Sequence, residues 1–135
     1  TGVQTCALPI FVLPIHPRTR QIIAKNNLQV DFTMIDPVGY FDMIELLKNC
    51  RFVMTDSGGL QKEAYFFAKH CITLREQTEW VELVKNGFNE ITGSDTERIL
   101  SAYRALPTRK ADFSLALYGD AKAGEKIVQA LMQKA

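Results

Sequence analysis

With 135 residues, 47% of them hydrophobic and 23% charged, the chain has the size and composition of one globular domain around a single core. A formal net charge of +1 provides no global field to draw nucleic acid or an anionic membrane, and no apolar run approaches the roughly 18 residues of a membrane span. Three cysteines (Cys6, Cys50, Cys71) form an odd set without metal-ligand spacing, which suggests reduced thiols in a cytoplasmic protein, with Cys50 and Cys71 as small core residues. The two histidines, His16 and His70, lie far apart and carry no metal signature; neither a metal nor a cofactor is expected.

Thr1 to Ile10 reads like the in-frame translation of a common short-read sequencing adapter and is set aside from fold reasoning; on that reading the upstream part of the chain is missing. Phe11 to Ile15 then reads as a short buried strand, with His16 at its end. Pro17 suits the first turn of a helix that continues through Gln21 to Lys25 and ends at Asn26-Asn27. Leu28 to Ile35 is extended, with Val30, Phe32 and Met34 alternating, and Asp36-Pro37-Val38-Gly39 is a turn. Tyr40 to Asn49 has helical spacing, with Tyr40, Met43, Ile44 and Leu47 on one face. Arg51 to Met54 predicts a strand, Leu60 to Ala68 a helix whose Tyr65-Phe66-Phe67 packs, and Cys71 to Leu74 the next strand. A loop, Arg75 to Trp80, leads into a short helix through Val84 that Gly87 stops. Asn89 to Thr92 is a further strand, Asp95 or Ser94 caps a helix to Leu106, and Asp120 to Ala135 is an amphipathic helix with Ile127, Val128 and Leu131 inward.

Short strands alternating with helices of about ten residues predict an α/β fold with a parallel sheet, in which ligands sit beyond the carboxyl ends of the strands. His16, Thr55 to Gly59, and Arg75 to Trp80 all follow strand ends and should gather along one edge. The centre of that edge is Thr55-Asp56-Ser57-Gly58-Gly59, where a strand turns into a helix. Ser57 or Asp56 can cap the helix, while Gly58 and Gly59 remove Cβ atoms that would keep a ligand from the first-turn N–H groups. Those groups and the helix dipole make an anion site suited to phosphate. Glu63 falls near enough to the same end to accept hydrogen bonds from a sugar hydroxyl. The spacing alone is equally that of a plain Gly-rich strand-to-helix turn, since it is neither G-x-G-x-x-G nor a P-loop.

The residues carry more than the spacing. Thr55 to Ala64, then Leu74-Arg75-Glu76-Gln77-Thr78-Glu79-Trp80-Val81-Glu82, together with Pro14-Ile15-His16-Pro17, Asp36-Pro37-Val38-Gly39-Tyr40 and Tyr118-Gly119-Asp120, resemble the C-terminal half of the non-hydrolysing UDP-N-acetylglucosamine 2-epimerase family. The resemblance runs from Phe11 to Ala135. It implies a Rossmann-like, UDP-binding C-terminal domain at 11–135, one half of a glycosyltransferase-B-type two-domain architecture, and a homodimeric parent. The implied reaction inverts C2 of a UDP-linked N-acetylhexosamine by eliminating and re-adding UDP, in the supply of surface polysaccharide such as lipopolysaccharide or capsule. It implies that Ser57, Gly58 and Gly59 hold the diphosphate, that Glu63 accepts the ribose hydroxyls, and that His16, Arg75, Glu79 and Trp80 line the substrate cleft.

Two residues depart from the commonest family pattern. Trp80 stands where Thr-Glu-Arg-Pro-Glu has arginine, and Lys62 stands where an acid is usual. An indole cannot neutralise phosphate. The combination resembles the subgroup acting on UDP-2,3-diacetamido-2,3-dideoxy-glucuronate; UDP-N-acetylglucosamine itself is the alternative, and Trp80 can equally be a packing residue. The resemblance places the acid and base carboxylates upstream of Phe11, so the chain alone is expected to be catalytically silent. The competing functions are the donor-binding half of a UDP-sugar glycosyltransferase and a stand-alone nucleotide-binding module.

Overall fold

The computed structural model describes residues 11–133; the adapter-like segment Thr1 to Ile10 lies outside them, as do the last two residues of the chain. The fold is α/β with parallel sheets, as the alternation of strands and helices predicts. It divides into two compact units, with the boundary after Leu46.

In the first unit, β1 (Val12–Pro14) pairs in parallel with β2 (Thr33–Ile35), with Val12 opposite Thr33 and Pro14 opposite Ile35. Between them lies α1 (Pro17–Lys25), with proline in its first turn, where the missing N–H costs nothing. His16 is its N-cap: ring Nδ1 accepts the Arg18 N–H at 3.2 Å. The helix ends at Asn26-Asn27 as expected, and Asn27 takes the left-handed conformation at φ 50°. Helix α2 (Tyr40–Asn49) carries the boundary between the units; of the face that holds Tyr40, Met43, Ile44 and Leu47, Leu47 is buried and Tyr40 is exposed.

The second unit holds β3 (Val53–Thr55), α3 (Gly58–Phe66), β4 (Cys71–Thr73), α4 (Val81–Lys85), β5 (Asn89–Ile91), α5 (Thr96–Ala105), a 3₁₀ turn (Leu106–Thr108) and α6 (Ala123–Met132). The strands form one parallel sheet in the order β3-β4-β5, and Thr55, Thr73 and Ile91 stand abreast at its carboxyl edge. Each strand is three residues long, shorter than the extended runs in the sequence. Gly87 takes φ 76° directly after α4, which is how it stops that helix. Asp95, rather than Ser94, caps α5 by accepting the Arg98 N–H at 2.8 Å.

The core of this unit centres on Tyr65, Leu83 and Phe88, with Trp80, Ala111, Phe113, Leu117 and Tyr118 packed against it. The Phe88 ring lies 4.9 Å from Tyr65 and 4.8 Å from Phe113, in edge and tilted arrangements. Tyr65 also ties down the segment before α6, its hydroxyl donating to the Leu115 carbonyl and accepting the Leu117 N–H. Cys71 is a core residue as expected, while Cys50 is half-buried.

Other packing expectations fail. The segment Phe11 to Ile15, read as a buried strand, buries only Ile15 and leaves Phe11 and Val12 exposed. Ile127, Val128 and Leu131 are 60%, 56% and 65% exposed rather than inward, and Phe66 is 59% exposed beside a buried Tyr65. A 3.6-residue stripe shows which side chains share a face of α6, but burial needs a facing element, and none of the described residues covers that stripe.

Candidate functional site

Strand β3 delivers Thr55 to the carboxyl edge of the sheet, and its Oγ1 accepts the Ser57 N–H at 3.0 Å. That bond folds the chain sharply after Asp56 and leaves Ser57 extended at φ −78°, ψ 124°, the geometry of an N-cap. The Ser57 hydroxyl accepts the Leu60 N–H at 3.4 Å, so Ser57 caps the helix and Asp56 does not. Helix α3 consequently starts at Gly58, two residues before the sequence pattern suggests, and both glycines occupy its first turn. The N–H groups at these positions have no carbonyl partner within the helix, and the macrodipole makes this end electropositive. Glu63 follows one turn along α3 from Gly59 and is half-buried.

The loop after β4 closes over this turn. The Leu74 N–H donates to the Thr55 carbonyl at 2.9 Å, which starts the loop beside the glycine turn. Arg75 pairs with Glu79 at 3.2 Å, and the Glu79 carboxylate lies against Gly58. The missing Cβ at Gly58 is what admits that approach, since a Cβ there would push the Glu79 carboxylate aside. The Trp80 indole N–H donates to the Gly58 carbonyl at 2.8 Å. Ser57, Gly58, Gly59, Arg75, Glu79 and Trp80 are thus brought together around the first turn of α3. His16 belongs to the other unit, where it caps α1.

Lys62 and Trp80, the two departures from the commonest pattern, meet. The Lys62 ammonium sits 4.8 Å from the Trp80 ring and 4.4 Å from the Tyr118 ring, with Phe66 at 5.9 Å. Trp80 and Tyr118 stand edge to face at 5.7 Å. Trp80 is therefore both a packing residue and a hydrogen-bond donor to the glycine turn. Burial pushes the Tyr118 phenol well above its ordinary range, and the neighbouring Glu82 carboxylate adds to the shift.

Sequence reasoning gave no site role to Gln61 and Thr78. Gln61 is fully buried, and its Oε1 accepts the Thr78 hydroxyl at 2.7 Å and the Asn89 side-chain amide at 3.3 Å. Thr78 Oγ1 in turn accepts the Trp80 N–H at 3.2 Å. A glutamine in an amphipathic helix looks solvent-facing; what buries it is a loop 17 positions further on, which no local pattern announces.

A parallel α/β sheet with a Ser-capped glycine turn beyond the end of a strand is the construction of domains that seat anionic ligands at a helix N-terminus. A sequence profile of the family described as UDP-N-acetylglucosamine 2-epimerase matches residues 4–132, and the chain belongs to that family. It is 44% identical over 129 residues to the UDP-2,3-diacetamido-2,3-dideoxy-D-glucuronate 2-epimerase of Pseudomonas aeruginosa, covering 96% of this chain and 36% of that protein. To the UDP-N-acetylglucosamine 2-epimerase of Methanocaldococcus jannaschii it is 36% identical over 127 residues, covering 90% of this chain and 34% of the relative. The crystal structure of the M. jannaschii enzyme in complex with UDP-GlcNAc and UDP superposes with a TM-score of 0.80 at 35% identity, over 92% of this chain and 36% of that one. The chain spans about a third of the length of the curated relatives it matches. Among the described residues, no helix is long and apolar enough to cross a membrane.

Proposed function

We propose that the chain is the nucleotide-binding part of a cytoplasmic, homodimeric UDP-sugar 2-epimerase, an isomerase that inverts C2 of a UDP-linked N-acetylhexosamine for surface polysaccharide synthesis. The observation that carries the reading is the Ser57-capped start of α3, with two glycines in its first turn and Arg75, Glu79 and Trp80 folded over it. UDP leaves as an anion in elimination, so donors fixed at its phosphates act where negative charge develops. In this reading Ser57 and the N–H groups of Gly58 and Gly59 hold the diphosphate, and Glu63 accepts the ribose hydroxyls. Arg75 and Glu79 face the sugar-phosphate. Proton transfer at C2 falls to parts of the relatives' length that this chain does not span, so the chain binds without turnover.

The sugar is UDP-2,3-diacetamido-2,3-dideoxy-glucuronate in preference to UDP-N-acetylglucosamine. The 44%-identical P. aeruginosa relative and the Lys62–Trp80 combination both support this choice. Calorimetric titration of the chain with UDP, beside Ser57→Ala and Glu63→Ala, tests the site. Binding weakened by about tenfold in each variant is the expected result, one charge-assisted or multidentate contact being removed each time. Equal affinity in all three proteins, or no binding by a folded chain, overturns it.

A further inference from the structure

We propose that Gln61 is a positioning residue, which sets the Thr78-Glu79-Trp80 loop against the first turn of α3 and acts on the ligand only through that loop. The inference rests on the nucleotide reading of the glycine turn and extends it to a fully buried residue behind that turn.

The argument is one of connectivity. Two ties join the loop to a single helix. One runs from Gln61 Oε1 through the Thr78 hydroxyl to the Trp80 N–H, at 2.7 and 3.2 Å. The other runs from the Trp80 indole N–H to the Gly58 carbonyl, at 2.8 Å. Gly58 and Gln61 are three positions apart on α3, so they lie on the same face of the helix. Glu79 sits between the two tied residues, and the closure presses its carboxylate onto Gly58 while it holds Arg75 at 3.2 Å. With one tie alone the loop could pivot about the indole; the second removes that freedom.

Gln61 is also costly to keep, which argues for a role beyond filling space. It is fully buried, and its Nε2 has no protein partner among the described residues, as is true of Asn89 Oδ1 beside it. A methionine of similar shape would avoid that desolvation penalty. It would also surrender the acceptor shared by Thr78 and Asn89, leaving one half-buried and one buried donor unpaired. The amide is thus the group that couples α3, β5 and the loop at one atom.

Trp80 is the sole tryptophan of the chain and serves as an internal reporter of loop position. The test compares wild type, Gln61→Met, Thr78→Val, Thr78→Ser and the Gln61→Met/Thr78→Val double variant, by Trp80 emission and by UDP titration, with circular dichroism as the check of folding. Gln61→Met and Thr78→Val are each expected to shift the emission to the red and to weaken UDP binding about tenfold. Thr78→Ser, which keeps the hydroxyl, should match wild type. The double variant should lose no more than either single one, because both break the same tie.

Unchanged emission in folded Gln61→Met, or additive losses in the double variant, would overturn the proposal. Should wild type bind no UDP, the nucleotide reading falls, while the emission shift and its rescue by serine still decide whether Gln61 positions the loop. If UDP binding is intact and lost in Ser57→Ala, yet indifferent to Gln61, the nucleotide reading stands and this inference fails.

Discussion

The meeting of Lys62 and Trp80 makes a quantitative prediction about the two positions at which this chain leaves the commonest pattern of its family. Trp80→Arg restores the usual residue at one position and leaves Lys62 in place. It removes the indole donor to Gly58, worth about 1 kcal/mol, and the cation–π contact with Lys62, worth about 1 kcal/mol in a half-buried setting. It also sets a guanidinium near an ammonium. At the 4.8 Å that now separates Lys62 from the ring, two like charges repel by about 3 kcal/mol at an effective dielectric of about 20, and solvent screening cuts this to about 1. The single variant should therefore lose about 3 kcal/mol.

Lys62→Glu alone forfeits the cation–π contacts, about 1 kcal/mol. The double variant Lys62→Glu/Trp80→Arg turns repulsion into attraction and should lie at least about 2 kcal/mol above the sum of the two singles. Urea unfolding followed by circular dichroism is the assay, since the tryptophan signal is gone in both Trp80 variants. Single effects that add to within about 0.5 kcal/mol would refute the reasoning, because they would show that the two side chains do not interact.

Other measurements bear on the core and the titrating groups. Phe88→Ala removes a fully buried ring packed on Tyr65 and Phe113 and should cost about 3–5 kcal/mol in the same urea assay; a loss under about 1 would show that the three-ring packing is not what holds the second unit together. Burial, with Arg109 nearby, holds the His70 imidazole below its ordinary value of 6.5, so the unfolded chain takes up a proton first as pH falls. The stability His70 contributes is complete above 6.5 and drains away as pH drops towards its lower folded value. The melting temperature should accordingly decline through that window, and His70→Gln should flatten the decline; an unaltered slope would dismiss His70 as its source. Burial pushes the Cys71 thiol up to about 12, whereas Cys50 is half-buried, so alkylation mapped by mass spectrometry should label Cys50 before Cys71 in the native chain. Equal rates without denaturant would contradict the packing of Cys71.

Much of the scaffold was legible because it is local. Pro17, Asn26-Asn27, Gly87 and Asp95 each fix a helix end by chemistry contained within one turn, and all four act where the sequence places them. The glycine turn was legible for the same reason, except that two glycines read as a turn when they are the first turn of α3. What escaped is non-local. The face of α6 was assigned from its own periodicity, yet burial depends on a neighbour that periodicity does not name. Gln61 escaped because its partners, Thr78 and Asn89, lie 17 and 28 positions away. The Lys62–Trp80 contact was visible as two separate anomalies, and only the fold shows them to be one.

The register of the second sheet has a consequence for how this unit assembles. Cys71 follows Val53 by 18 positions, and Asn89 follows Cys71 by the same 18. Loop-closure entropy grows only with the logarithm of length, so it favours neither crossover. The sequence of events is then left to the helices inside the crossovers. The first holds nine residues with a serine cap, the second five with no side-chain cap. β3-α3-β4 should accordingly nucleate and β5 dock onto it, so substitutions in α3 slow folding while those in α4 mainly hasten unfolding. The Ser57-capped glycine turn would be among the first parts of the chain to take its final shape.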